Sequence, residues 1–242
     1  MPELTSEDIK RGQLWQLGKH RLYCGDATIS EDIEKLVSGY EIGLVFQDPP
    51  YGIDIVNAGG HFHGKGKKAF QVYTGFIGDK DDTACRLNYE LICKYPKLII
   101  WGGQFFSFLP RSQGWLIWDK KVNIDNYSAC EMAWTSFYGH NKIYTHRWCG
   151  FMKAGSRRLN PVPRIHPTQK PVELYMAMLR DFSNEGDVVL DCFSGSGTTI
   201  IACEETGRIC LSMELSLHYC REIINRYMRC YGCEEVMCLK TI

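Results

Sequence analysis

Residues 188–214 run V-V-L-D, then C-F-S-G-S-G-T-T, then a helix-forming stretch through Glu205, then from Arg208 R-I-C-L-S-M-E. Two short apolar runs joined by a glycine-rich turn and one helix form a βαβ unit. Such a crossover forces its two strands to lie parallel, so the chain is expected to be an α/β protein. The second run ends in Glu214, 23 residues past Asp191. In dinucleotide-binding folds an acid about 20 residues past the first loop takes both ribose hydroxyls. The loop here is F-S-G-S-G and lacks the third glycine of G-x-G-x-x-G. That departure weakens the seat for a pyrophosphate. It leaves an adenosine-bearing cofactor with a smaller, zwitterionic tail. A tight strand-to-helix turn without a ligand is the bland alternative.

A second strand ends just as pointedly. After I-G-L-V-F the chain reads Q-D-P-P-Y-G-I over residues 47–53. Proline has no N–H and fixes φ, so pairing stops there and the turn stiffens. Asp48 and Tyr51 are then held at the carboxyl end of a strand, where open α/β sheets bind ligands. A Pro-rich turn with both side chains solvated would read the same way.

The remaining organisation follows from periodicity and turn residues. Strands are expected at residues 21–24, 42–46, 97–101 and 115–118, and helices at 31–37 and 83–95. H-P-T-Q-K-P (residues 166–171) precedes a helix in which Val172, Tyr175, Met176, Leu179 and Phe182 share one face. Leu217, Cys220, Ile224 and Tyr227 mark the last helix. Residues 121–164 lose periodicity and mix aromatic, basic and turn residues, which suggests the later sheet strands plus an insertion. The 28 basic and 28 acidic side chains among 242 residues cancel, so any nucleic-acid-binding surface must be local. One such place is G-G-H-F-H-G-K-G-K-K, residues 59–68, which otherwise reads as a solvated loop. No apolar run approaches membrane-spanning length. The 12 cysteines are scattered singly, which suits a reducing cytosol. Cys230 and Cys233 form a lone C-x-x-C with no second pair, so no metal site is expected.

Taken together, D-P-P-Y (residues 48–51), H-P-T-Q-K-P and D-C-F-S-G-S-G-T-T (residues 191–199), in that order, resemble the β class of amino-methylating DNA methyltransferases. The resemblance runs from about Gly12 to Tyr231. It implies one methyltransferase domain over 1–242, with a Rossmann-like, circularly permuted sheet and S-adenosylmethionine as methyl donor. Residues 121–165 would be an inserted target-recognition region. The strands ending at Asp191 and Glu214 would be the first and second of the sheet. The strand before Gly25-Asp26 would be the third, and the D-P-P-Y strand the fourth. By the same resemblance Asp48, Pro49, Pro50 and Tyr51 are catalytic. Phe193, Gly195 and Gly197 shape the pocket for the methionine part of the cofactor near Asp191, with Ser196 and Thr198 in the same loop. Glu214 binds the ribose and Asp26 lies near the adenine. Thr168, Gln169 and Lys170 meet the methionine carboxylate, a task that suits a cation beside a helix N-terminus.

The chemistry expected is methyl transfer to adenine N6 in double-stranded DNA. The amine's lone pair is delocalised into the ring. Asp48 accepting one N–H and the Pro49 carbonyl the other would localise it. Tyr51 would stack on the extruded base. Lys65, Lys67 and Lys68 in the basic loop, with Arg147, Arg157, Arg158 and Arg164, are the candidate DNA contacts, more for phosphates than for bases. Cytosine-N4 methylation uses the same amine chemistry and is the nearest alternative. Methylation of an RNA base, a silent DNA- or partner-binding subunit that keeps the fold, and an NAD-linked dehydrogenase are the others. A cytoplasmic location in a bacterium or phage is expected. A homodimer and a restriction-system partner are both left open.

Overall fold

The computed structural model describes residues 3–52, 81–122, 128–149, 152–160, 165–166, 168–232, 234 and 236–241. Its centre is a sheet of five parallel strands: β2 (His20–Cys24), β11 (Ile209–Glu214), β10 (Val188–Asp191), β3 (Leu44–Gln47) and β4 (Leu98–Trp101), in that spatial order. β10, β3 and β4 are almost unbroken apolar runs, because helices cover both faces, whereas β2 opens on His20 and Arg21 and β11 carries Ser212 and Glu214. Along β3 the side chains alternate: Leu44 and Phe46 enter one core and Val45 the other. The first core is closed by α3 (Val172–Phe182), α4 (Thr198–Thr206) and α5 (Leu217–Tyr231). The second is closed by α1 (Ser30–Val37) and α2 (Thr83–Ile92). The strands identified above as third, second, first and fourth lie side by side in that order, the order of a doubly wound sheet. The permuted Rossmann-like sheet is therefore present.

Antiparallel strands extend both edges. β1 (Gln13–Leu17) pairs with β2 and with β12 (Val236–Thr241). Neither outer strand was evident in the sequence, because Gln13 and Gln16 break the apolar pattern of β1. Gln13 is nonetheless buried, its amide oxygen accepting from the Lys10 N–H and the Trp15 Nε1–H. On the other side β6 (Cys130–Thr135) pairs with β4, and β5 (Trp115–Asp119) lies between β6 and β7 (Lys142–Thr145). The first part of the aperiodic stretch is thus sheet. Further on, β8 (Trp148–Cys149) and β9 (Met152–Lys153) form a separate two-stranded ribbon.

Among the described residues no helix is long and apolar enough to cross a membrane.

Candidate functional site

The chain leaves β10 towards β11 on one side and β3 towards β4 on the other. That divergence opens a crevice at the carboxyl ends of β10 and β3, the place where doubly wound sheets bind ligands. Asp191 ends one strand and Asp48 follows the other. One pocket there is lined by Asp48, Lys170, Tyr175, Asp191, the loop residues Phe193–Ser196 and Thr198–Thr199, and by His166, Thr168 and Gln169. Asp48 of the D-P-P-Y turn, the H-P-T-Q-K-P segment and the glycine loop are therefore brought together.

Asp48 is fixed from both sides. Its Oδ1 accepts from the Tyr51 hydroxyl at 2.6 Å and its Oδ2 from the Lys170 ammonium at 2.5 Å. Burial pushes its carboxyl pKa up, and the Lys170 charge opposes this. Lys170 is 5% exposed and also lies 3.1 Å from Glu131 on β6. Burial disfavours its charge, but Asp48 and Glu131 outweigh that and raise its pKa. The same ammonium depresses His166, whose burial already drives its pKa to about 3, so the ring is neutral. His166 Nδ1 accepts from the Thr168 N–H and faces the Thr168 hydroxyl at 3.1 Å. Lys170, expected beside the cofactor's carboxylate, is held at Asp48 and still lines the pocket with Thr168 and Gln169. Gln169 is buried, its Oε1 accepting from the Ile165 N–H.

Tyr51 is clamped in an aromatic niche. Phe105 stacks on its ring at 5.4 Å and 24°, and Phe106 meets it edge-on at 6.2 Å. Gly102, at the end of β4, has φ +69° and lies so close that a Cβ there would overlap the Tyr51 ring. Glycine is required at that position for both reasons.

The glycine loop is held by its own acids. Asp191 Oδ1 accepts from the Phe193 N–H at 3.0 Å and Oδ2 from the Thr199 hydroxyl at 2.5 Å. Glu214 Oε2 accepts from the Gly195 N–H and Oε1 from the Ser216 N–H, both at 2.8 Å. Burial raises both carboxyls to about 7, against the pull of these donors. Gly197 caps α4 with φ +73°, where a Cβ would crowd Ile223. Ser196 meets Thr198 at 3.0 Å, and the Thr198 hydroxyl donates to the Lys170 carbonyl. On the neighbouring strand, the Gly25 N–H donates to the Glu214 carbonyl at 3.1 Å. Asp26 follows Gly25, its N–H donating to Asp32 Oδ2. Its Oδ1 accepts from the Thr28 N–H and hydroxyl.

Several supporting residues were not singled out from the sequence. Glu131 and Lys120 extend the Asp48–Lys170 pair, with Lys120 Nζ 2.6 Å from Glu131. Arg226, 1% exposed, donates to the carbonyls of Ser196 and Leu159 at 2.8 and 2.5 Å, tying the glycine loop to the segment before α3. Asn160 caps α3 by accepting the Val172 N–H at 3.0 Å. The signal for Arg226 was its place on a buried helix stripe with Tyr219 and Ile223. For Glu131 it was an acid inside an otherwise apolar strand.

The candidate DNA contacts divide. Arg147 and Arg157 are exposed. Arg158 is exposed too, but its guanidinium donates to Glu205 at 2.7 Å and lies over the Tyr231 ring. Lys65, Lys67, Lys68 and Arg164 lie outside the described residues.

A family model described as DNA methylase, N6_N4_Mtase, matches residues 117–226. The type II methyltransferase M.HpaI of Haemophilus parainfluenzae is 46% identical over 54 residues, 22% of this chain and 17% of that protein. YubD of Escherichia coli (strain K12), a methylase by name, is 25% identical over 212 residues, 76% of this chain and 80% of its own length. The structure of a DNA modification methylase, so named, from Thermus thermophilus, complexed with S-adenosyl-L-methionine, superposes with a TM-score of 0.51. It is 22% identical, with 92% of this chain and 99% of that one covered, a likeness of fold. The match to M.HpaI thus spans less than a fifth of that relative.

Proposed function

We propose that this chain, which belongs to the DNA methylases of the N6/N4 type, transfers a methyl group to the exocyclic amine of adenine in DNA. The observation that carries the proposal is the position of Asp48. Its carboxylate stands in one pocket with the glycine loop, at the point where the sheet changes direction.

S-Adenosylmethionine, when bound, supplies an electrophilic methyl on a sulfonium. The residues present fit it. Glu214 and Asp26 end adjacent parallel strands, with carboxylates suited to ribose hydroxyls and to the adenine amine. Phe193, Gly195, Ser196 and Thr198, with Asp191, line the side where the methionine chain would lie, and Gly197 shapes the turn that carries them. Thr168, Gln169 and Lys170 face them across the pocket.

The reacting amine is handled by the tetrapeptide. Asp48 retains acceptor sites beyond the two used by Tyr51 and Lys170, since a carboxylate offers about four. Accepting one N–H there and the other at the Pro49 carbonyl draws the nitrogen towards sp³ geometry. It also stabilises the positive charge that develops as the methyl arrives. Pro49 and Pro50 hold those acceptors still. Tyr51, with the half-exposed Phe105 stacked on it, offers an aromatic surface to a base taken out of the duplex. Exposed Arg147 and Arg157 suit phosphate contacts, and the basic loop at residues 59–68 is assigned the same role from its composition.

The test is incubation with plasmid DNA and methyl-labelled S-adenosylmethionine, followed by nucleoside analysis. Label in N6-methyladenine is expected, and its loss in Asp48→Ala with cofactor affinity kept within a few-fold. Label in N4-methylcytosine would move the substrate to cytosine. No label in either base would refute the reading.

A further inference from the structure

One face of the sheet carries a line of charges that the methyl-transfer chemistry above does not explain. Phe46 of β3, Trp101 of β4, Ala133 of β6 and Trp118 of β5 share the core beneath α3. Side chains two residues apart lie on the same face of a strand. Asp48 therefore continues the Phe46 side, Glu131 the Ala133 side and Lys120 the Trp118 side. Because Trp118 pairs with Glu131 across the β5–β6 ladder, Lys120 is Glu131's diagonal neighbour. The turn that carries Lys120 is pinned at both ends. Its N–H donates to the Ala129 carbonyl at 3.0 Å, and the next residue, Lys121, adopts φ 51° with its N–H on Asp119. Lys170 enters from the segment before α3 and closes the gap.

The result is an alternating row. Lys120 is 2.6 Å from Glu131, Glu131 is 3.1 Å from Lys170, and Lys170 is 2.5 Å from Asp48. Lys120 also lies over the Trp118 ring, and Lys170 over the rings of Trp101 and Tyr51. A buried lysine with Asp48 as its sole partner would direct its whole charge to that carboxylate. An acceptor neutralised in this way is a poor one for an amine. A second carboxylate on the same ammonium divides that pull.

We propose that Glu131 is a positioning residue that holds Lys170 between two carboxylates and so keeps Asp48 a strong acceptor for the target amine. The proposal rests on the methyl-transfer reading for its consequence, but the electrostatic arrangement stands apart from it. The groups that face Asp48 are Lys170 and His166 from the H-P-T-Q-K-P segment, Tyr175 of α3, Asp191 of β10, Glu131 of β6 and its own neighbour Tyr51. Glu131's negative charge raises the Asp48 pKa, and Lys170 lowers it. Removing that negative charge therefore lowers the Asp48 pKa and weakens its basicity.

Glu131→Gln and Glu131→Asp are compared with wild type, with thermal melts confirming that each is folded. The acid limb of the kcat profile is expected to move to lower pH by on the order of half to one unit in Glu131→Gln. The plateau kcat should fall about tenfold, while KM for S-adenosylmethionine stays within twofold. Glu131→Asp should restore most of both. A purely structural role would lower activity without moving the acid limb. Carboxyl-carbon NMR titration of Asp48, its signal identified by its absence in Asp48→Asn, reads the same shift without turnover. An unchanged Asp48 midpoint in Glu131→Gln overturns the proposal. A shifted midpoint in a chain that methylates no DNA would sustain the role of Glu131 and reject the methyl-transfer reading.

Discussion

Asp191 offers a test that can be worked through from its contacts. It is 2% exposed, and burial raises its pKa from 3.8 to about 7. In the unfolded chain it ionises near 3.8. Between those two values the unfolded state has released a proton that the folded state keeps. Stability contributed by the protonated carboxyl is therefore complete below about pH 4. It is lost as pH rises to about 7 and flat beyond. At about 1.4 kcal/mol per pH unit, ionised Asp191 costs the fold on the order of 4 kcal/mol.

Asp191→Asn removes the charge with little change of shape. Its amide oxygen can accept the Phe193 N–H, and its amide nitrogen can donate to the Thr199 hydroxyl, which rotates to suit. The variant should match wild type near pH 4 and exceed it above about pH 7.5 by up to about 4 kcal/mol. For a chain of this size that is on the order of 10 °C in Tm. Glu214 works in the same direction, since Asp191's charge helps raise its pKa and the substitution removes that strain. Urea melts from about pH 4.5 to about pH 8.5 measure the difference. Methyl transfer, if Asp191 shapes the donor's pocket, should fall as stability rises. A difference that does not change with pH, or an Asn variant less stable than wild type at about pH 8, would refute the reasoning.

Glu214→Ala should weaken S-adenosylmethionine binding by about 2–3 kcal/mol through loss of charged hydrogen bonds, read by calorimetry. It also frees the Gly195 and Ser216 N–H groups, so a loosened loop in hydrogen exchange should accompany the loss. Arg226→Met should cost about 2–4 kcal/mol, because the Ser196 and Leu159 carbonyls lose their donors. Arg226→Lys should recover less than half in denaturant melts, since an ammonium lacks the guanidinium fork. Gly102→Ala should displace the Tyr51 ring and strain a backbone at φ +69°, costing about 1–3 kcal/mol and most of the turnover. Normal turnover in that variant would show that Tyr51 is not held where the chemistry needs it.

The parts of the fold legible in the sequence are those whose signal is local. V-V-L-D and L-I-I-W announce buried parallel strands because helices on both faces demand apolar residues at every position. Gly195 and Gly197 announce a strand-to-helix turn because the backbone there needs positive φ. Acids at strand ends stand out because an acid directly after an apolar run has little structural use. The edge strands were hidden for the complementary reason. β12 is the outermost strand and β1 pairs between it and β2, and Gln13 and Gln16 interrupt the apolar period of β1. Residues 128–145 were obscured in the same way: β6 and β7 carry Glu131 and Lys142 within the sheet.

What sequence alone could not supply is pairing between charges far apart in the chain. Lys170 read as a cation near a helix N-terminus, a reading in which a negative cofactor group is its natural partner. Its position 122 residues from Asp48 in sequence gave no sign that the two meet. The meeting follows from topology. β3 and β6 flank β4, and α3 crosses above them, so the segment leading into α3 lies over the carboxyl end of β3 and the amino end of β6. A lysine there lies between two acids on strands that run in opposite directions. The same ammonium is therefore available to Asp48, to Glu131 and, on the reading given above, to a cofactor carboxylate in the same pocket. Those three claims compete for one charge. The share that Glu131 takes then determines how far Asp48 is free to accept the amine.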